Sequence, residues 1–468
     1  MSGLFGTLGV MARSLQTQQQ AIATTGHNIS NANNPAYARQ RVAIQASLPT
    51  PSPIGMMGTG VEATAVVQIR NYLVDGQVQA ETSALGYWEA QQQALEYAQA
   101  SLGQSLNRTS AAGGADQPGL AAGLTELFNA FQSLSTNPTS TAERQVLLMK
   151  AANLATQFNQ ITQRLDGLWG TLNSTVSAGV TDANRLITDV AGLNEQIAAL
   201  EMRTGGVAND LRDLRQQKVE ELAKFTKIDT AQQPNGAVNV TIGGVLMVSD
   251  QHVLDTLDGY DAGGGQILLR AANAGTALPA TSGSLAATIE VRDGTLATLS
   301  TQISELASRL ITTVNQIHTT GFSLTGTTGA AFFTGTDSRT IGINSALLDD
   351  PARIQASGTS GAVGDNQVAL ALAQLAQQSH ASLGNQTFSQ RYHQSVATLG
   401  QALATANGRL ADEQVVHDML ARQRASISGV SVEEEMTNLT TYQRAFEASA
   451  RVMTVVDGLL ETLINIKR

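Results

Sequence analysis

The two ends of the chain carry matching apolar stripes, and that pairing limits the fold more than any other feature. Residues 4–30 read as an amphipathic helix in which Leu8, Met11, Leu15, Ile22 and Ile29 recur at steps of three and four, with Gln18 and Thr25 filling the gaps. Residues 432–466 repeat the pattern with Met436, Leu439, Phe446, Ala450, Met453 and Leu460, with Gln443 inside the run. A heptad stripe at each end predicts that the termini zip together as a coiled coil and that everything between them is looped out. Gln, Thr and Ala in the seams leave neither helix able to hold a strong pair alone. Helices of this kind need further neighbours, which points to an assembly subunit rather than a free enzyme. The candidate assembly residues are Leu8, Met11, Leu15, Ile22, Ile29, Met436, Leu439, Tyr442, Phe446, Met453, Leu460 and Ile464. Tyr442 and Phe446, four apart, are expected to pack in the seam.

Between the stripes the pattern changes several times. The run Asn31-Ala32-Asn33-Asn34-Pro35-Ala36-Tyr37 stops the first helix, because Pro35 disfavours helix at Asn34 and asparagine accepts turn conformations. Asn31, Asn33, Pro35 and Tyr37 join the candidate assembly residues. Residues 39–45 and 61–69 read as strands around a Pro/Gly/Met loop, residues 71–106 as a helix, and 110–119 as a flexible loop. The longest periodic element covers 141–202. Leu147, Ala151, Leu154, Phe158, Ile161, Leu165, Leu168 and Leu172 keep a 4-3 rhythm, Val176 and Val180 follow at steps of four, and Val190, Leu193 and Ile197 restore it. Such a stutter locally unwinds a supercoil, and about sixty helical residues span roughly 90 Å, so the molecule is expected to be elongated. After a helix at 211–225, three short apolar runs separated by Asn235-Gly236, Gly243-Gly244 and Gly263–Gly265 read as strands and turns. Helical spacing returns at 296–317, a loop-rich segment fills 321–364, and helices cover 368–375 and 388–427. Ser431 and Glu434 have capping-box spacing at the start of the last helix, and Glu433 and Glu435 suit its positive end.

The fold class is therefore mainly α with a small β-rich inserted domain, elongated and nested, with the terminal helices paired outermost and the insert at the far end. The expected units are 1–33 and 431–468 as the two halves of a terminal assembly domain, 34–228 and 291–430 as the two parts of a helical domain, and 229–290 as the insert.

Composition removes several function classes. Charged residues make up 14% and aromatics 4%, which argues for long helices side by side rather than one deep core. A net charge of −10 argues against a nucleic-acid surface. With no cysteine there is no disulfide, thiol nucleophile or thiolate metal site. No run approaches the roughly 18–20 apolar residues of a membrane span, and the N-terminal segment lacks the features of a cleaved secretory signal. The six histidines, His27, His252, His318, His380, His393 and His417, form no metal-ligand set, and no nucleophile or nucleotide motif stands out. No cofactor is expected.

Two stretches carry recognisable wording. Residues 15–42, "LQTQQQAIATTGHNISNANNPAYARQRV", and residues 426–466, beginning "SISGVSVEEEMTNLTTYQRAFEASARVM", resemble the N- and C-terminal motifs of bacterial flagellar axial proteins. The Gly-Val-Ser-x-Glu-Glu-Glu-Met form, with "GDNQVALALAQL" at 364–375 and "INSALLDDPARIQAS" at 343–357, is most similar to the hook-associated protein 1 family. Many axial proteins have Gly where this chain has Ala36; a type I turn accepts alanine there, so that turn is expected.

The resemblance implies a structural subunit at the hook–filament junction, exported unfolded by the flagellar type III apparatus and extracellular. The implied partners are copies of itself in a tubular lattice, hook protein and a second junction protein on either side, the cap protein during assembly, and an export chaperone at the C-terminal helix. Residues 1–33 and 431–468 are expected to be disordered in the free monomer and to fold against neighbours. Another axial subunit (hook, rod or flagellin type) and a secreted protein with an enzymatic or adhesive insert remain as alternatives.

Overall fold

The first and last helices form where the stripes place them: α1 (Leu4–Ser30) and α11 (Val432–Ile466) pack against each other. They run antiparallel, since Asn28 meets Glu435 at one end and Ser14 Oγ lies 3.0 Å from Ser449 Oγ further along. The computed structural model describes residues 3–52, 55–103 and 119–466. Of the chain, 64% is helical, which fixes the class as mainly α. The loop expected at 110–119 lies outside the described residues but for its last position.

After α1, the strand β1 (Gln40–Ala46) pairs antiparallel with β4 (Val61–Gln68), and a small ladder of β2 (Thr50–Ser52) with β3 (Gly55–Met57) extends the hairpin beyond them. Four helices follow: α2 (Tyr72–Ser101), α3 (Leu120–Thr136), α4 (Thr141–Thr204) and α5 (Asn209–Phe225). The Ser140 side chain caps α4 by accepting the Glu143 N–H, and Gly205 at φ 65° ends it, since an L side chain at that φ is strained. Between cap and stop lie 64 helical residues, about 95 Å of rod. The helix α3 was not expected. Its stripe Leu120, Leu124, Leu127, Phe131 and Leu134 is buried, but Gly and Ala beside it blur the helical pattern at its start.

The β-rich segment holds a four-stranded antiparallel sheet in chain order, β5 (Ile228–Gln232), β6 (Val238–Ile242), β7 (Val245–Ser249) and β8 (His252–Val253), and a hairpin of β9 (Leu257–Asp261) with β10 (Ile267–Ala271). The chain returns through α6 (Gly283–Glu290), a π-helical stretch (Val291–Leu296) and α7 (Ala297–His318). It then passes β11 (Phe333–Thr334), β12 (Gly342–Ile343), α8 (Ser345–Asp349) and α9 (Gln367–Gln374) before α10 (Phe388–Ser428).

Two apolar clusters share the single rod α4. Its first half, from Leu147 to Leu172, packs with α3, α7, α9, the end of α2 and the start of α10. Its second half, from Val176 to Ala191, packs with α5, α6, both β units and Leu278. The change of partners falls where the apolar rhythm stutters. Asn173 sits at that point and is bonded through both ends of its amide: its Nδ2 donates to the Gly265 carbonyl, while its Oδ1 accepts from Ile267 N–H and from the buried Arg292 guanidinium. Arg292 belongs to the π-helical stretch, so the widened turn and the stutter face each other.

One expectation fails. The β-rich segment is not at the far end from the termini. It packs on the half of α4 that leads to α5, and α5 begins beside the end of α1, where His27 and Asp210 meet. The far end is made instead by the 321–364 segment, whose Phe332, Phe333, Ile341, Leu347 and Ile354 close the first cluster. The sequence pattern shows where α4 starts and stops but not that α5 folds back along it.

His318, with no exposed surface, is bonded on both nitrogens in this far region. Nδ1 donates to the Ala330 carbonyl at 2.8 Å, and Nε2 accepts the Gln355 N–H at 3.0 Å, so the ring is neutral. Burial, and the nearby Arg144 guanidinium, lower its pKa to about 4. An unfolded histidine titrates near 6.5, so between these values the unfolded chain binds the extra proton, and this group's contribution to stability is lost as pH falls. Over that window the stability gap between the wild type and His318→Gln is expected to shrink by about 3 kcal/mol, read from urea denaturation at pH 7 and pH 4. A gap independent of pH would refute the neutral buried ring.

Candidate assembly site: the terminal arm and its root

Antiparallel pairing of α1 with α11 brings most of the anticipated seam together. Leu8, Met11, Leu15, Ile22 and Ile29 are half-buried on the side of α1 that carries Ser14, and Leu439, Tyr442, Met453 and Leu460 are half-buried on α11. The register on α11 differs from the expected one. Its covered edge runs through Glu435, Asn438, Tyr442, Ala445, Ser449, Met453, Val456 and Leu460, while Met436 is 50% exposed, Phe446 36% and Ile464 68%. Tyr442 and Phe446 therefore part company, one toward the seam and one outward. Small side chains such as Ala445 and Ser449 let the helices approach, and the larger ones left outside form a second stripe of Val452, Val455, Leu459 and Leu463.

On its other side α1 meets the hairpin. Val10 packs so closely on Gly60 that a Cβ there would lie 3.1 Å from its Cγ1. Arg13, Gln16, Thr17 and Gln20 share a groove of about 470 Å³ with residues 62–66 of β4. The arm is thus three layers deep: hairpin, α1, α11.

The root of the arm is polar. Asn28, 1% exposed, uses its whole amide: Nδ2 donates to the Gln40 carbonyl at 2.8 Å and to Glu435 Oε2 at 2.9 Å, and Oδ1 accepts from Tyr37 O–H at 2.8 Å and Gln40 N–H at 3.0 Å. Glu435 also accepts from Arg39 Nε at 2.7 Å, and Arg39 grips Glu434 with both terminal nitrogens at 2.8 and 3.0 Å. These bonds to Glu434 raise the Arg39 pKa, and Arg39 in turn holds the Glu434 carboxyl below its usual range. The expected capping box at Ser431 is only half formed. Ser431 Oγ accepts the Glu434 N–H at 3.4 Å, but the Glu434 carboxylate is taken by Arg39. A complete capping box occurs instead at Thr387 and Gln390, opening α10.

The root is tied to the body through α5. Asp213 accepts from Ala38 N–H at 3.0 Å and from Gln68 at 2.8 Å, and Arg70 lies 3.5 Å away. Burial pushes its carboxyl up to about 6, against the pull of those donors. Asp210 takes Gln40 Nε2 at 2.7 Å and His27 Nε2 at 3.2 Å. The Arg39 N–H reaches the Ser428 carbonyl at 2.8 Å, fastening the α10–α11 link as well.

The turn residues divide. Asn31 is half-buried and its side chain bonds back to the His27 carbonyl, Asn33 and Pro35 are exposed, and Tyr37 is buried inside the chain, edge-on to His27. The Tyr37 N–H bonds the Asn34 carbonyl and Ala36 keeps a negative φ, as a type I turn requires. Burial, then the carboxylates of Asp210, Asp213 and Glu435, keep the Tyr37 hydroxyl protonated far above its usual range. Reading the sequence missed Asn28, Glu435 as an Arg39 partner, Asp210 and Asp213. One signal was available: antiparallel zipping of the stripes brings the Glu433–Glu435 run level with the end of α1 and its following arginines.

Among the described residues no three acidic or histidine side chains are grouped to hold a metal, and no helix is long and apolar enough to cross a membrane.

Removing the Asn28 amide would strand Tyr37 O–H, Gln40 N–H and one Glu435 oxygen in a dry site. Asn28→Ala is expected to cost about 3 kcal/mol in urea denaturation, whereas Met436→Ala on the open face should change stability by less than about 0.5 kcal/mol. Equal effects would mean that the root bonds do not hold the arm.

Two stretches of the chain match families of known proteins. Residues 106–333 match the model of the flagellar hook-associated protein FlgK helical domain, and residues 421–466 match that of the flagellar basal body rod FlgEFG protein C-terminal segment. Flagellar hook-associated protein 1 of Bacillus subtilis is 28% identical, with 99% of each chain covered, and that of Escherichia coli is 25% identical over 97% of this chain and 98% of its own. The flagellar hook junction protein FlgK of Burkholderia pseudomallei has the same fold, with a TM-score of 0.63 at 15% identity over 75% of this chain and 100% of its own. The chain thus carries the helical domain of the flagellar hook-associated protein FlgK family, a family of structural flagellar proteins, and is similar to flagellar hook-associated protein 1 over nearly its whole length.

Proposed function

We propose that this protein is a structural, non-enzymatic subunit that forms the junction between flagellar hook and filament. The observation that carries the reading is an arm whose outer face, Val452, Val455, Leu459, Leu463 and Ile464, stays uncovered within the chain. Contiguous apolar surface of this kind marks an interaction site. The relatives named above are hook-associated proteins over nearly their whole length, which supplies the place of assembly. The likeness of residues 421–466 to a rod-protein segment means that the arm alone suits any axial subunit. The helical-domain match at 106–333 favours the junction over the hook, rod or filament.

On this reading the two terminal segments, 1–33 and 431–468, are the assembly unit, with Leu8 to Ile29 and Met436 to Ile464 supplying its interface. The helical parts form the wall, and residues 229–290 an accessory unit on it. The subunit leaves the cell through the flagellar type III apparatus with a chaperone on α11, meets the cap protein, and takes its place among copies of itself between hook protein and a second junction protein. Beyond the polar root, the half-buried seam suits an arm whose outer part stays loose until neighbours cover it, because binding only the folded form stabilises it by mass action.

The paired substitution Val455→Asp with Leu459→Asp is expected to leave the melting temperature of the monomer unchanged and to abolish its incorporation into flagella. Cells deleted for the gene should keep hooks and shed unattached filament protein, seen by microscopy and in the medium. Attached filaments in the deleted strain would overturn the junction reading.

A further inference from the structure

The helices α2 and α10 pair antiparallel. Val74 and Val78 near the start of α2 pack with Leu420 and Ile427 near the end of α10, while Leu95 and Leu399 both enter the first apolar cluster. The side of α2 turned to α10 runs Val74, Val78, Glu81, Leu85 and Trp88, and the matching side of α10 runs Ala406, Leu410, Glu413, His417 and Leu420. Both keep the alternating three- and four-residue steps of a coiled-coil seam. The seam is apolar toward both ends, and in its middle it sets an acid of one helix against an acid of the other.

Glu81 and Glu413 are half-buried, and Glu81 Oε1 is shut off from solvent and accepts no hydrogen bond. The Glu413 carboxyl lies within hydrogen-bonding reach of Glu81 and is the charged group that acts on it. On α2 no other charged residue lies between Asp75 and Glu89. On α10 the flanking groups are Arg409, which is exposed, and His417, whose buried Nδ1 has no hydrogen-bond partner and lies 3.7 Å from Asp418. Arg424, further along α10, is held by Glu220 of α5. Lys224 of α5 and Glu290 of α6 meet α2 at Gly86 and Tyr87, on sides turned away from α10. Of the remaining neighbours, α4 brings Arg164 beside Gly103, and the π-helical stretch brings Arg292, which is bound to Asp293 and Asn173. Burial, then the hydrogen bond and charge of Glu413, push the Glu81 carboxyl up to about 7. One proton on the pair turns two repelling carboxylates into a donor and an acceptor, and so satisfies the enclosed oxygen.

We propose that Glu81 and Glu413 form a proton-operated clasp, which bonds the second half of α10 to α2 while they share a proton and loosens it when they do not. The first half of α10 is also held by α3 and α7 in the first cluster. Residues 407–428 lie on α2, with Val415 and Met419 exposed on their outer side. The clasp therefore governs the stretch that ends at Ser428, whose carbonyl accepts the Arg39 N–H at the root of the arm. An acid that titrates higher in the folded chain than in the open one binds its proton preferentially when folded. The stabilisation is present at low pH and is lost as pH rises through about 7.

Hydrogen exchange on the purified full-length chain reads the clasp directly, with rates corrected for the intrinsic effect of pH on exchange. Protection of residues 407–428 is expected to fall about tenfold between pH 6 and pH 8, if opening returns Glu81 to the ordinary glutamate range. Protection of the first half of α4 should stay constant over the same interval. In Glu413→Gln the amide supplies a permanent donor to the Glu81 carboxylate, and in Glu81→Gln the roles are exchanged. Both variants are expected to keep 407–428 equally protected at the two pH values. A wild type with no change would overturn the proposal. So would either variant that folds and retains the wild-type fall, since the titrating group would then lie elsewhere, His417 being the nearest.

Discussion

The whole arrangement turns on one buried amide. Asn28 closes α1 onto β1, onto the Tyr37 turn and onto the first turn of α11, and it does so with no hydrogen-bonding capacity left over. A buried polar group this complete stabilises only one arrangement of its neighbours, because any slip of α11 along α1 would leave Glu435 facing apolar surface. The seam beyond it is too lightly buried to choose a register alone. Specificity therefore comes from the polar root and adhesion from the apolar face, and the two are set at opposite ends of the arm.

The same separation organises the body. The apolar clusters on α4 supply adhesion, while Asn173 and Arg292 fix the relation between the β-rich segment and the rod. Each polar fixture sits where an apolar pattern changes: at the stutter in α4, and at the end of the α1 stripe. Runs of leucine and valine can slide by a turn and remain satisfied, and a fully bonded asparagine cannot.

How much of this was legible depends on the range of the interactions. The bounds of α1, α4, α10 and α11 were readable because capping and periodicity are local. The seam register on α11 was not. That helix carries two apolar stripes, and the face that approaches α1 is the one with Ala445 and Ser449, which close packing favours over bulk. The root was hidden for a different reason. Glu435, Asp210 and Asp213 look like ordinary helix acids until partners some 170 to 400 residues away arrive. The helix α3 was lost to its glycine- and alanine-rich start, and the place of the β-rich segment to the reversal at Gly205.

The unbroken course of α4 through both clusters has a mechanical consequence. A strain arriving at α5 from the arm enters a hydrogen-bonded column with no interior proline or hinge, whose carbonyls and amides are joined from Thr141 to Thr204. The column carries twist along its length, and the regular helical bonding beside it is interrupted at the widened turn of the neighbouring helix, Val291–Leu296. Torque on such a subunit would pass from its root to its distant loops along one continuous element.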